Sequence, residues 1–209
     1  MANGLCEGCH GDLPWLIGAC PRCAEPLTGT RDTLCAHCQQ DPPPFDRTLA
    51  AFSYEFPLNQ LLPGIKYHRR PAALGWLSRT FATWLADRID PAPQLLIPVP
   101  QHPLKELRRG FNQAALIANE LSHALRIPCS DTCVRKRRVT TQQAELSRVE
   151  RQANLRGSFN VRRALPAHVA VVDDVMTTGS TARELSHALR ECGATRIDIW
   201  VLARTPDAH

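Results

Sequence analysis

Residues 169–181, Val-Ala-Val-Val-Asp-Asp-Val-Met-Thr-Thr-Gly-Ser-Thr, constrain this chain more than any other stretch. Val169, Val171 and Val172 open it as a buried parallel strand. Two adjacent carboxylates, Asp173 and Asp174, are expected at the strand's end. Thr177, Thr178, Gly179, Ser180 and Thr181 then make a small hydroxyl-rich turn. A helical pattern follows, with Ala182, Leu185, Ala188 and Leu189 on one face and Gly193 at its close. A strand–loop–helix of this kind gathers backbone N–H groups and hydroxyls at the positive end of a helix dipole, which suits a phosphate. Paired acids beside it can accept hydrogen bonds from vicinal hydroxyls, so the implied ligand is a sugar phosphate. An acidic strand end and a helix cap explain any one of these residues but not the whole run.

Cysteine spacing is the second constraint. Six of the nine cysteines form three Cys-x2-Cys pairs: Cys6/Cys9, Cys20/Cys23 and Cys35/Cys38. The second and third pairs have the spacing of a closed four-thiolate zinc site, which is structural rather than catalytic. A segment this short buries too little surface to fold unaided, so metal binding is expected to supply its folding free energy. A redox role for the pairs is the competing reading, and no thioredoxin-like pattern supports it. Cys6 and Cys9 lack a partner pair and stand as further candidate ligands. His10 and His37 read as bystanders, and Cys129, Cys133 and Cys192 as packed thiols. The run Asp41-Pro-Pro-Pro-Phe-Asp reads as a stiff linker, dividing a cysteine module at 1–41 from a domain at 42–209.

Within 42–209, strands are expected at 48–54, 95–100 and 197–202, in addition to the one above. A short helix and basic turn are expected over 61–70, and amphipathic helices over 72–88 and 112–126. Alternating strands and helices imply a parallel sheet with ligands at the strands' carboxyl ends. The net charge of +5 is uneven: residues 101–165 hold 13 Lys and Arg against 5 Asp and Glu. Such a region suits a polyanion, although a solvated basic face gives the same count. Basic loops are read at 66–70, 105–113 and 135–143. No apolar run reaches the roughly 20 residues that span a bilayer, and no signal peptide is visible, so a cytoplasmic protein without membrane insertion is expected.

The loop resembles the phosphoribosyl pyrophosphate (PRPP) loop of type I phosphoribosyltransferases. The resemblance implies a parallel sheet with helices on both faces, behind a small N-terminal zinc ribbon. It also implies that Asp173 and Asp174 hold the ribose hydroxyls, that residues 177–181 hold the 5′-phosphate, and that magnesium accompanies PRPP. Purine-salvage relatives carry an acid where this chain has Thr177, so salvage of a 6-oxopurine is disfavoured. The ordered motifs narrow the likeness: the cysteine pairs, Pro-Pro-Phe-Asp, Ile-Lys-Tyr, Pro-Val-Pro, Arg-Arg-Gly-Phe-Asn-Gln, Thr-Gln and Val-Asp-Asp-Val-Met-Thr-Thr-Gly-Ser-Thr. Together they resemble the ComF family (the ComFC/GntX group). Members commonly carry four cysteine pairs, and this chain has three.

That family implies a role in DNA uptake and natural transformation, or in using external DNA as a nutrient, with binding of PRPP and single-stranded DNA. Lys66, Lys105, Arg108, Arg109, Arg137 and Arg138 are candidates for pyrophosphate or DNA. A small-molecule phosphoribosyltransferase acting on a nucleobase is the alternative, and turnover stays open. A third reading makes the ribbon an adaptor for a DNA-uptake helicase or other competence protein.

Overall fold

The apolar runs of the sequence lie side by side as one parallel sheet in the computed structural model. The structure describes residues 4–27, 33–68, 72–101, 107, 110–136 and 157–206, with the backbone alone at 66–68, 72 and 73. The sheet's strands are β1 (Arg47–Ser53), β2 (Leu95–Pro98), β5 (His168–Met176) and β6 (Arg196–Arg204), in the order β1-β6-β5-β2. A two-stranded antiparallel ribbon stands apart: β3 (Val134–Lys136) pairs with β4 (Phe159–Val161). The helices are α1 (Glu7–Gly11), α2 (Ala36–Gln40), α3 (Leu58–His68), α4 (Ala72–Ala86), α5 (Gln113–Leu125) and α6 (Ser180–Glu191).

Cover on both faces explains why β5 and β6 are buried along almost their whole length. Ala170, Val172, Trp200 and Leu202 face a layer built by Leu62, Leu77, Phe81, Ile117 and Leu121 of α3, α4 and α5. Val169, Val171, Ile197, Ile199 and Val201 face the opposite layer, built by Leu185 and Leu189 of α6 with Cys20, Cys38 and Phe45. The cysteine segment is therefore part of the second layer's packing. The proline-rich stretch after it is also bound down: Phe45 is buried, and Asp46 accepts from Arg190 at 2.7 Å and from the Ile197 N–H at 2.7 Å.

At the amino ends of the strands sits a buried ion cluster. Asp198 of β6 is fully buried and meets Arg47 of β1 at 2.8 Å, His168 of β5 at 3.2 Å and Arg196 at 3.5 Å. It ties three strands together at the end of the sheet opposite the loop of residues 177–179.

Three expectations are corrected. The paired acids do not close β5, which runs two residues past them to Met176, because β6 keeps pairing with it as far as Met176–Arg204. Residues 64–68 continue α3 instead of forming a turn: Leu58, Leu62 and Ile65 are buried along one face, and that burial outweighs Pro63 and Gly64. Arg135 and Lys136 belong to β3, not to a loop. The rest of the basic stretch, 137–143, lies outside the described residues.

Candidate functional site: a phosphate-type loop against a four-cysteine cluster

β2 pairs with β5 as far as Pro98–Val172, so past that point, among the described residues, no strand pairs with the edge of β5 that carries the paired acids. Asp173 Oδ1 accepts the Asp174 N–H at 2.9 Å, and Asp174 Oδ1 accepts that of Val175 at 2.9 Å. Asp174 is buried and Asp173 partly exposed. Asp173 and all five residues of the turn, Thr177 to Thr181, line a hollow of about 50 Å³ closed by Val171, Ile199 and Val201. Gly179 is the N-cap of α6, at φ 71°, and α6 has no side-chain cap. Thr178 Oγ1 lies 2.8 Å from Ser180 Oγ and accepts the Ser180 N–H at 3.4 Å. Helix-start N–H groups, the four hydroxyls of Thr177, Thr178, Ser180 and Thr181, and a left-handed glycine form an anion cradle. Glycine is favoured there by the positive φ, and a Cβ would sit 2.6 Å from Met176 Cε, so that flexible side chain would have to turn aside.

The sulfurs of Cys20, Cys23, Cys35 and Cys38 all lie within 4.8 Å of one another. Cys23 and Cys35 sulfurs are 3.6 Å apart, as two ligands of one tetrahedral ion would be. The Cys35 N–H donates to Cys20 Sγ, and the Cys38 N–H to Cys35 Sγ, each at 3.4 Å. Burial pushes the Cys23 thiol up to about 12, and burial also raises Cys38. On Cys20 burial is outweighed by N–H groups of Cys35, Cys23 and Arg22, so its pKa falls. Buried thiols like these shed their protons when a cation replaces them, so the donor set fits a structural divalent metal. Cys6 and Cys9 are exposed and join no such cluster among the described residues. The His10 ring meets Trp15 at a tilt of 49°, with centroids 5.1 Å apart.

The two features touch. Arg204, the last residue of β6, is 2% exposed and forms an ion pair with Glu25 at 2.6 Å. Its guanidinium donates to the carbonyls of Cys23 at 3.2 Å, Met176 at 3.4 Å, Thr177 at 2.5 Å, and Thr205. From the first turn of α6, Arg183 reaches the Asp41 carbonyl at 2.7 Å, the Asp41 carboxylate at 3.2 Å and His37 Nε2 at 3.2 Å. Between the cysteine cluster and the loop lies a cavity of about 250 Å³, lined by Cys35, His37, Thr178, Gly179, Arg183 and Arg204 among others. Neither Glu25 nor Arg204 was legible as a site residue. Each is a lone charge in sequence, and they lie 179 residues apart.

A second cavity, of about 290 Å³, opens beyond β2 between Gln101, Asn112, Asp131, Thr132, Arg135 and Lys136. Asn112 caps α5 by accepting the Ala114 N–H at 3.0 Å and donates to the Val99 carbonyl at 3.1 Å. Gln113 is buried beside it. Both belong to the Arg-Arg-Gly-Phe-Asn-Gln motif, which sequence reasoning noted without giving them a role. Lys105, Arg108, Arg109, Arg137 and Arg138 lie outside the described residues, as does the side chain of Lys66.

Among the described residues no helix is long and apolar enough to cross a membrane. A family model described as a phosphoribosyl transferase domain matches residues 107–208. The DNA utilization protein YhgH of Salmonella typhi is 32% identical over 207 residues, covering 97% of this chain and 91% of the relative. Competence protein F of Haemophilus influenzae is 34% identical over 214 residues, with the same coverage of 97% and 91%. Among solved structures, a purine phosphoribosyltransferase from Pyrococcus horikoshii aligns over 64% of this chain and 91% of its own, at 17% identity and TM-score 0.41. A likeness of about one residue in three that runs nearly end to end in both relatives, cysteine segment and loop included, places the chain: it belongs to the ComF family, a phosphoribosyltransferase-type α/β fold behind a cysteine-rich segment.

Proposed function

We propose that this protein binds PRPP with magnesium and single-stranded DNA, and acts in DNA uptake or in the use of external DNA as a nutrient. The observation that carries the first part is the cradle: paired acids on β5 past the end of its pairing with β2, then a helix start whose N-cap, Gly179, has no side chain to cap it. Asp173 and Asp174 would accept from the ribose hydroxyls, and residues 177–181 would donate to the 5′-phosphate. Magnesium would arrive with PRPP and neutralise its pyrophosphate. The names of the two relatives support the DNA role, as does the basic balance of residues 101–165. Lys66, Lys105, Arg108, Arg109, Arg137 and Arg138 are the residues proposed for pyrophosphate or DNA.

We read the metal of Cys20, Cys23, Cys35 and Cys38 as zinc with a structural role, and the chain as a cysteine unit at 1–41 followed by the phosphoribosyltransferase-type unit at 42–209. A cytoplasmic location and a competence-protein partner such as a DNA-uptake helicase go with this reading.

Calorimetry with Mg-PRPP tests the first part. The native chain should bind, and the double variant Asp173→Asn/Asp174→Asn should lose about 1.5–3 kcal/mol per charged hydrogen bond removed. Fluorescence anisotropy with an oligonucleotide tests the second: affinity should fall steeply as salt rises. A chain that binds neither ligand refutes the proposal. Completeness of the loop favours one further reading, a transferase that acts on a nucleobase. Pyrophosphate release with some acceptor would establish it, and PRPP binding without release across the common bases would count against it.

A further inference from the structure

Peptide geometry gives the contact between the loop and the cysteine segment a directional consequence. The carbonyl of one residue and the N–H of the next lie in one plane and point in opposite directions. Arg204 holds the Thr177 carbonyl at 2.5 Å, which turns the Thr178 N–H away from Arg204. The Met176 carbonyl is fixed in the same way, by Arg204 and by the Thr205 N–H at 3.0 Å, and that orients the Thr177 N–H. These are entry amides of the cradle.

Arg204 itself has little freedom. It is buried, its charge is met by Glu25, and it also donates to the Cys23 carbonyl. Glu25 is likewise buried, and both partners of Arg204 on that side lie within the Cys20–Cys23 knuckle or two residues beyond it. Where the chain leaves the loop, Arg183 of α6 is held by Asp41 and His37, next to Cys38. The cysteine segment thus grips the loop before and after Gly179.

We propose that Glu25 and Arg204 are positioning residues: through their ion pair the folded cysteine segment sets the peptide planes of residues 176–178, and with them the loop's grip on a phosphate. This rests on reading residues 177–181 as the 5′-phosphate loop. Arg183 supports the same arrangement from the exit side. It is the weaker tie, because its partner Asp41 is 60% exposed.

The test uses the full-length, metal-loaded chain and Mg-PRPP as the probe, well below the melting temperature of every variant. Glu25→Gln keeps the shape and removes the charge. Its PRPP dissociation constant should rise roughly tenfold or more, with metal content unchanged. Glu25→Asp restores the charge and should recover most of the affinity. Arg183→Ala should cost only about two- to threefold. Amide exchange at Thr177 and Thr178 should quicken in Glu25→Gln and be rescued in Glu25→Asp.

A purely structural pair predicts something else: lower melting temperature in both Glu25 variants, with unchanged PRPP affinity and loop exchange. That result overturns the inference, as does full affinity in Glu25→Gln. If the native chain binds no PRPP, the phosphate-loop reading falls and takes the inference with it. Binding by the native chain and by Glu25→Gln alike sinks the inference alone.

Discussion

Gly179→Ala is the sharpest single perturbation of the loop. At φ 71° an alanine occupies the left-handed region, at a cost of roughly 1–2 kcal/mol. Its methyl would start 2.6 Å from Met176 Cε, against about 3.5–4.0 Å for comfortable carbon contact. Met176 ends in a flexible thioether, so the clash is relieved by turning that side chain off its rotamer, for about 0.5–1.5 kcal/mol. The whole effect is roughly 1.5–3.5 kcal/mol, which for a chain of this size lowers the melting temperature by roughly 3–14 °C. Adding Met176→Ala should return the clash component but not the backbone component. Urea denaturation reads the stability, and calorimetry with Mg-PRPP reads the loop, where affinity should fall at least tenfold. Unchanged stability would mean that the backbone of Gly179 is not held at positive φ in solution. Full PRPP affinity in a destabilised variant would refute the cradle.

Two further outcomes follow from other parts of the molecule. Asp198→Asn leaves Arg47, His168 and Arg196 around a neutral amide. It should cost about 3 kcal/mol in urea denaturation, at the low end for a broken buried pair because both arginines are partly solvated. PRPP affinity should not change, because the cluster lies at the other end of the sheet. For the metal, atomic absorption should find one zinc per chain, kept in Cys6→Ser/Cys9→Ser and lost in Cys38→Ser; loss in the Cys6/Cys9 variant would refute the four-ligand assignment. Acid should release the metal, because protons compete with it for the thiolates.

What could be read from the sequence is what depends on local order. The run from Val169 to Leu189 specifies strand, turn and helix by itself, and the Cys20/Cys23 and Cys35/Cys38 spacing specifies a closed site. No periodicity marks β3 and β4 in the sequence, because each has three residues and their paired positions are 23 to 27 apart. The α3 helix was misjudged at Pro63 and Gly64, where tertiary burial of Leu62 and Ile65 overrides local propensity. Asp173 and Asp174 stand out in the sequence as adjacent acids, but their setting does not: only the pairing of β5 with β6 shows that the strand runs on past them. Arg204 is the clearest case of information that lies in the fold alone. It ends a strand as an ordinary polar residue would, and only the fold brings Glu25 and the Thr177 carbonyl to it.

The most direct test of the central claim is a phosphorus NMR titration of Mg-PRPP with the native chain. If residues 177–181 cradle the 5′-phosphate, its resonance should shift and broaden on addition of protein and return toward the free position when Gly179→Ala replaces the native chain. A 5′-phosphate resonance that stays at its free position through saturating protein, whatever the pyrophosphate signals do, would contradict the account.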